Sequence, residues 1–229
     1  MARRGRKGQL ELGLKSTWGG RREGAGRKVV EGRRRKTAHR ARPVHRKWQP
    51  VHVTMRARAG LRSLRDRSVF PAVRGAVAAA SGEGFRVVQF SVQTDHVHLI
   101  VEAAGTEQLS SGARGLAIRI ARAVNRALGR SGPVWGDRYH ARPLATPREV
   151  RNGLVYVLMN FRKHLPRTSA GLDPCSSARW FEGFREGARP HAARADDVPP
   201  VASPRTWLGR VGWRRHGLIG VDEGPARIA

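Results

Sequence analysis

The sequence predicts an α+β domain: a ferredoxin-like split βαβ antiparallel sheet with one added C-terminal helix, flanked by a basic N-terminal arm and an irregular C-terminal tail. Three observations lead there. Short runs rich in β-branched residues recur at 51–56, 85–92 and 96–103. Between and after them, 67–81 and 107–129 carry apolar residues at helical spacing. Both ends are rich in Arg, Gly and Pro and poor in large apolar side chains. The resulting order, β-α-β-β-α-β-α, is that of a split βαβ unit plus a helix.

Residues 1–48 form the arm. Arg33, Arg34, Arg35 and Lys36 are its densest basic run, and glycines interleave the rest. Such a segment buries too little surface to offset its ordering entropy, and it is expected to bind DNA. Globular patterning covers 49–166. Val51 to Arg56 alternates as a strand. The segment 67–81 places Val69, Val73 and Val77 at helical spacing, with Pro71 in the first turn and Gly82 and Gly84 beyond its end. Phe85–Val92 and His96–Ala103 are strands joined by a tight turn at Thr94-Asp95, a hairpin. The 107–129 helix has Leu116, Ile120, Val124 and Leu128 on one face and Arg114, Arg119, Arg122 and Arg126 on the other. A fourth strand is expected within 134–144. The last helix opens at Thr146 with Pro147 and Glu149, a capping box, and is expected to reach about His164. Residues 167–229 are the tail, with 178–184 packing back on the domain.

The formal net charge is +28, from 45 Lys+Arg against 17 Asp+Glu. Such an excess favours a polyanion, since each neutralised phosphate releases counterions; a ribosomal partner or an Arg-favouring genome are the plainer readings. The one cysteine, Cys175, allows no internal disulfide and no CxxC zinc site, which fits a reducing cytoplasm. No apolar run is long enough to span a membrane, and the basic start lacks the apolar core of a signal peptide.

His96-Val97-His98 is the sharpest feature. Residues i and i+2 of a strand share a face, so the two imidazoles can converge on one metal ion. Tyr156 and Asn160, spaced i, i+4, share a helix face. A phenol can attack phosphorus, and an amide oxygen can complete a metal shell. Taken singly, each feature has a plainer reading: strand histidines that merely hydrogen-bond, and an aromatic that packs.

Together they resemble the HUH endonucleases, named for His-hydrophobe-His. Within that superfamily the chain looks most similar to the IS200-like single-tyrosine transposases, including the REP-associated tyrosine transposases. The resemblance runs through His52-Val53-Thr54-Met55-Arg56, Phe90 to Val101, the segment Val134-Trp135-Gly136-Asp137-Arg138-Tyr139-His140, and Val155-Tyr156-Val157-Leu158-Met159-Asn160. One departure is Phe161, where many relatives have Pro after the Asn.

The resemblance implies a metal-assisted transposase that cleaves and rejoins single-stranded or hairpin DNA, as in DNA transposition. Tyr156 would be the nucleophile, and Mg²⁺ or Mn²⁺ would be held by His96, His98 and Asn160. Imidazole suits Mn²⁺ better than Mg²⁺. The α-helical arginines, Arg138 and the basic arm would hold phosphates, and Trp135 would stack on a base. A homodimer and a cytoplasmic, nucleoid-associated location are also implied. Tyr139, His140, Glu102, Asp137 and His164 are weighed as supporting groups. Three other readings compete: a catalytically idle nucleic-acid-binding protein, a replication initiator or relaxase with the same chemistry, and a 2H-type RNA phosphoesterase. The last has His52-Val53-Thr54 as one motif but lacks the hydroxyl in the second.

Overall fold

The computed structural model describes residues 44–47, 49–163, 171–185 and 198–224. All of these lie in one compact unit, 37–229. The basic run Arg33–Lys36 and His164 fall outside the described residues.

Four strands form one antiparallel sheet: β1 (Val51–Arg56), β2 (Phe85–Val92), β3 (His96–Ala103) and β4 (His140–Pro143), in the order β2-β3-β1-β4. This is the split βαβ arrangement expected. Helices α1 (Phe70–Ala78) and α2 (Thr106–Ala127) pack together on one face. Strand alternation explains why. Val53, Met55, Val87, Phe90, Val97 and Leu99 point into that layer and meet Val73, Leu116 and Ile120. The expected fourth strand is shorter than its 134–144 window. Residues 134–139 are mostly loop, with Trp135 bridging back to Ala57.

Helix α3 (Pro147–Met159) covers the opposite face. Its capping box is present: Glu149 N donates to Thr146 Oγ1 at 3.2 Å, and Thr146 N donates to Glu149 Oε2 at 3.0 Å. The α-helix stops at Met159 and tightens into a 3₁₀ turn, Asn160–Lys163, a common way for a helix to end. Leu154, Val155, Val157, Leu158 and Met159 are all buried. This second half of the helix is apolar on more than one side and must be covered on both, and its outer cover is the C-terminal extension. Trp213, Phe184, Leu208 and Ile219 from that extension share a core with α3, Val88 and Ile100.

The extension also closes the sheet. Ser176 bridges Ser91 on the free edge of β2, Val92 N donates to Cys175 O at 2.8 Å, and Ser177 N donates to Phe90 O at 2.9 Å. The expected packing-back of 178–184 is therefore one part of a much larger contact.

Candidate active site

The α3-side face of the sheet presents His96 and His98 from β3, and His52, Thr54 and Arg56 from β1. Register sets this directly: Thr54 opposes His98, Arg56 opposes His96, and His52 opposes Ile100. Beyond β1, His140 pairs with Thr54 and Arg142 with His52, so the polar rows continue to the β4 edge.

Helix α3 delivers Tyr156 to this face. Its ring centroid lies 5.0 Å from that of His98 and 5.4 Å from that of His52, both edge-on. Gly153, three residues earlier, permits the approach: a Cβ there would stand 3.0 Å from Leu144 Cδ1 and 3.9 Å from Ile100 Cδ1. Asn160 follows at i+7 from Gly153, on the same helical stripe. Burial pushes the Tyr156 phenol above its ordinary pKa, so it is protonated in the free chain at neutral pH.

Each histidine of the pair has its Nδ1 engaged by a neighbour. His96 Nδ1 lies 2.6 Å from Asp95 Oδ1. His98 Nδ1 lies 3.2 Å from His52 Nε2 and 3.2 Å from Thr54 Oγ1. The two rings are 4.6 Å apart, centre to centre. Burial tends to raise the Asp95 carboxyl, but the hydrogen bond to His96 and the charges of His96 and Arg56 outweigh it and hold it low. Asp95 is thus an anion fixed behind His96. Burial, with the positive fields of His140 and Arg142, pushes His52 down to about 4, so His52 is neutral at physiological pH.

These residues fit a divalent cation. Metal-bound histidines characteristically hold their second ring nitrogen against a carboxylate or another hydrogen-bonding group; here Nδ1 is the engaged nitrogen of both, so Nε2 is the atom that would meet a cation. Asn160 is 1% exposed, and neither its amide oxygen nor its nitrogen has a hydrogen-bond partner among the described residues. A buried amide left so costs about 1–3 kcal/mol. Its oxygen is a donor type that hard cations accept. Among the described residues there is no cluster of three or more His, Cys, Asp or Glu side chains set to hold a metal, so the set under consideration is the two histidines and the amide.

The fold has a solved counterpart. A structure described as a REP-associated tyrosine transposase bound to a REP hairpin aligns with TM-score 0.53 and 18% identity, over 74% of this chain and 100% of that one. No family model matches the chain, and no curated protein does. At this identity the likeness concerns the fold.

The other predicted residues divide. Arg114, Arg119, Arg122 and Arg126 are exposed on α2, across the sheet from Tyr156. Trp135 is held by its Nε1–H, which donates to Ala117 O at 2.8 Å. With Arg114, Arg138 and Tyr139 it lines a cleft of about 480 Å³. Glu102 is not near the histidine pair in function: it accepts from Arg205 N, Thr206 N and Thr206 Oγ1 at 2.6, 3.1 and 2.7 Å, anchoring the C-terminal extension. Asp137 accepts from the Arg138 backbone N–H in its loop. Asp95 was read from sequence only as part of a tight turn, though its place directly before the His-x-His could have marked it. His52 was read as part of the His-Val-Thr strand and of a competing 2H motif, not as a neighbour of His98.

Proposed function

We propose that the protein is a DNA strand transferase that cuts and rejoins single-stranded or hairpin DNA through Tyr156. The observation that carries this reading is the Tyr156 ring seated against His98, which shares a strand face with His96, with Nδ1 of both histidines engaged. The shared fold with a REP-associated tyrosine transposase supports it.

In the proposed reaction Tyr156 Oη attacks the scissile phosphorus in line. The Oη–P bond forms, the P–O3′ bond breaks, and the departing 3′-oxygen takes up the proton that the phenol gives up. The chain then carries a 5′-phosphotyrosine, and a second 3′-hydroxyl reverses the step and joins strands without a nucleotide cofactor. His96, His98 and Asn160 would hold Mg²⁺ or Mn²⁺. When bound, that cation polarises a non-bridging phosphate oxygen and eases departure of the 3′-oxygen. Asp95 keeps His96 oriented. The α2 arginines and the Trp135 cleft serve DNA held away from the cut. A homodimer is the assembly we assign to joining, where two ends must be held together.

The test is incubation with labelled hairpin oligonucleotides, native flanking DNA included, and Mn²⁺. The expected result is a covalent protein–DNA band on a denaturing gel, absent with chelator and absent in Tyr156→Phe. Tight, salt-sensitive binding with no adduct would establish the idle binding protein instead.

A further inference from the structure

We propose that His52 is a positioning residue for His98: its Nε2 accepts the Nδ1 proton of His98, which turns the His98 Nε2 lone pair toward the metal position. This rests on the metal-assisted reading above and adds a residue to it.

The geometry carries the assignment. His52 lies diagonally across the β1–β3 pair from His98, since it opposes Ile100 while Thr54 opposes His98. His98 Nδ1 has two partners at the same 3.2 Å, His52 Nε2 and Thr54 Oγ1. An imidazole nitrogen has one in-plane direction, filled either by a proton or by a lone pair. A single proton shared between two acceptors gives two equal, slightly long contacts, a three-centre arrangement that proteins commonly use. One lone pair receiving two protons side by side is the poorer alternative. His52 is 8% exposed and His98 is 4% exposed, so water does not compete for these positions. The ring of His52 also contacts Tyr156 edge-on. It therefore touches both the proposed ligand and the proposed nucleophile.

The arrangement parallels that at His96, where a carboxylate plays the same part. The two ligands differ in partner: an anion behind His96, a neutral ring behind His98. Loss of such partners typically lowers metal affinity about 10–100-fold.

The experiment has two readouts on the metal-free full chain and its variants. Long-range ¹H–¹⁵N correlation on ¹⁵N-histidine protein, with His98→Ala to assign the signals, reports which nitrogen of His98 carries the proton. Titration with Mn²⁺ reports affinity. The expected result is an Nδ1-bound proton on His98 in the wild type. In His52→Phe the proton moves to Nε2 and Mn²⁺ binding weakens about 10–100-fold, while His52→Asn, which keeps an acceptor, is milder. The histidine spectra also show that each variant is folded. Three results would overturn the proposal. One is an Nε2-bound proton on wild-type His98. Another is Mn²⁺ affinity within twofold of wild type in folded His52→Phe. The third is loss of Mn²⁺ in His52→Phe as complete as in His98→Ala, which would make His52 a ligand. An Nδ1-bound proton in a wild type that binds no Mn²⁺ removes the metal reading itself and the purpose given to His52, leaving only the hydrogen bond.

Discussion

On the proposed reading, Asn160 sets function against stability at one residue. Its buried amide has no hydrogen-bond partner among the described residues, and an apolar side chain of similar shape would not incur that desolvation. Asn160→Leu is therefore expected to raise the unfolding free energy by about 1–2 kcal/mol while abolishing Mn²⁺-dependent adduct formation. Chemical denaturation and the gel assay check the two halves separately. His52 sets a pH dependence. Its folded pKa, about 4, lies below its ordinary 6.5, so between these values the unfolded chain binds the extra proton. Stability from this group is complete above pH 6.5 and falls as the pH drops toward 4, by about 3 kcal/mol in all. Asp95 and Glu223, whose carboxyls are held low by their partners, begin to lose their contribution only as the pH falls through their ordinary values, 3.8 and 4.5, so they steepen the slope at the bottom of this range and below it. Denaturation midpoints measured from pH 7 to 4 should slope downward in the wild type and flatten in His52→Phe. Equal slopes would remove His52 as the cause.

At the scale of elements, α3 acts as the arm that presents the proposed nucleophile, and Gly153 sets its height above the sheet. A Cβ there already presses on Leu144, and the γ-methyls of valine would lift the helix. Gly153→Val is expected to cost about 1–3 kcal/mol of stability. It should also slow adduct formation at least tenfold with Mn²⁺ affinity retained, since Tyr156 shifts while His96 and His98 stay on β3. Loss of metal binding in parallel would show that α3 supports the histidines rather than the reverse.

These elements also show what the sequence could disclose. Strands β1, β2 and β3 fall where the β-branched runs placed them, and the capping box set the start of α3 from Thr146 and Glu149, because both signals are local. Tyr156 and His98 were each legible as chemistry-bearing residues. Their 5.0 Å approach was not, because it depends on the missing side chain at Gly153. The contact of His52 with His98 escaped notice because the two lie 46 residues apart and meet on a diagonal that only the register defines. The contribution of the C-terminal segments escaped for a related reason. Their contacts are bonds from irregular backbone to β2 and single large side chains such as Trp213, and neither leaves a periodic trace.

For the molecule as a whole, that extension decides whether the sheet and α3 persist as a site. It supplies partners for the outer edge of β2, which alone would be an open template for other chains. It covers the outward side of α3 with Trp213, 2% exposed. It also ties both together. Asp173 grips Arg65 through two bonds of 2.9 and 2.8 Å, and Glu223 holds Arg151 of α3 at 2.7 Å. Removing residues 171–229 should therefore do more than shorten a tail. Leu154, Val155 and Leu158 would lose cover from their outer side, Arg65 its carboxylate, and β2 its neighbour. The expected outcome is a chain that aggregates or elutes as large oligomers on size exclusion and shows no cooperative thermal transition by circular dichroism. A milder cut tests the same idea within the full chain. Asp173→Ala leaves the Arg65 guanidinium without its partner and should cost about 3 kcal/mol, while Trp213→Ala, distant in sequence, should cost about 3–5 kcal/mol through the cavity it leaves. If the truncated protein were instead monomeric and melted cooperatively, the sheet and three helices would be a self-sufficient domain. The extension would then be an accessory that α3 can do without.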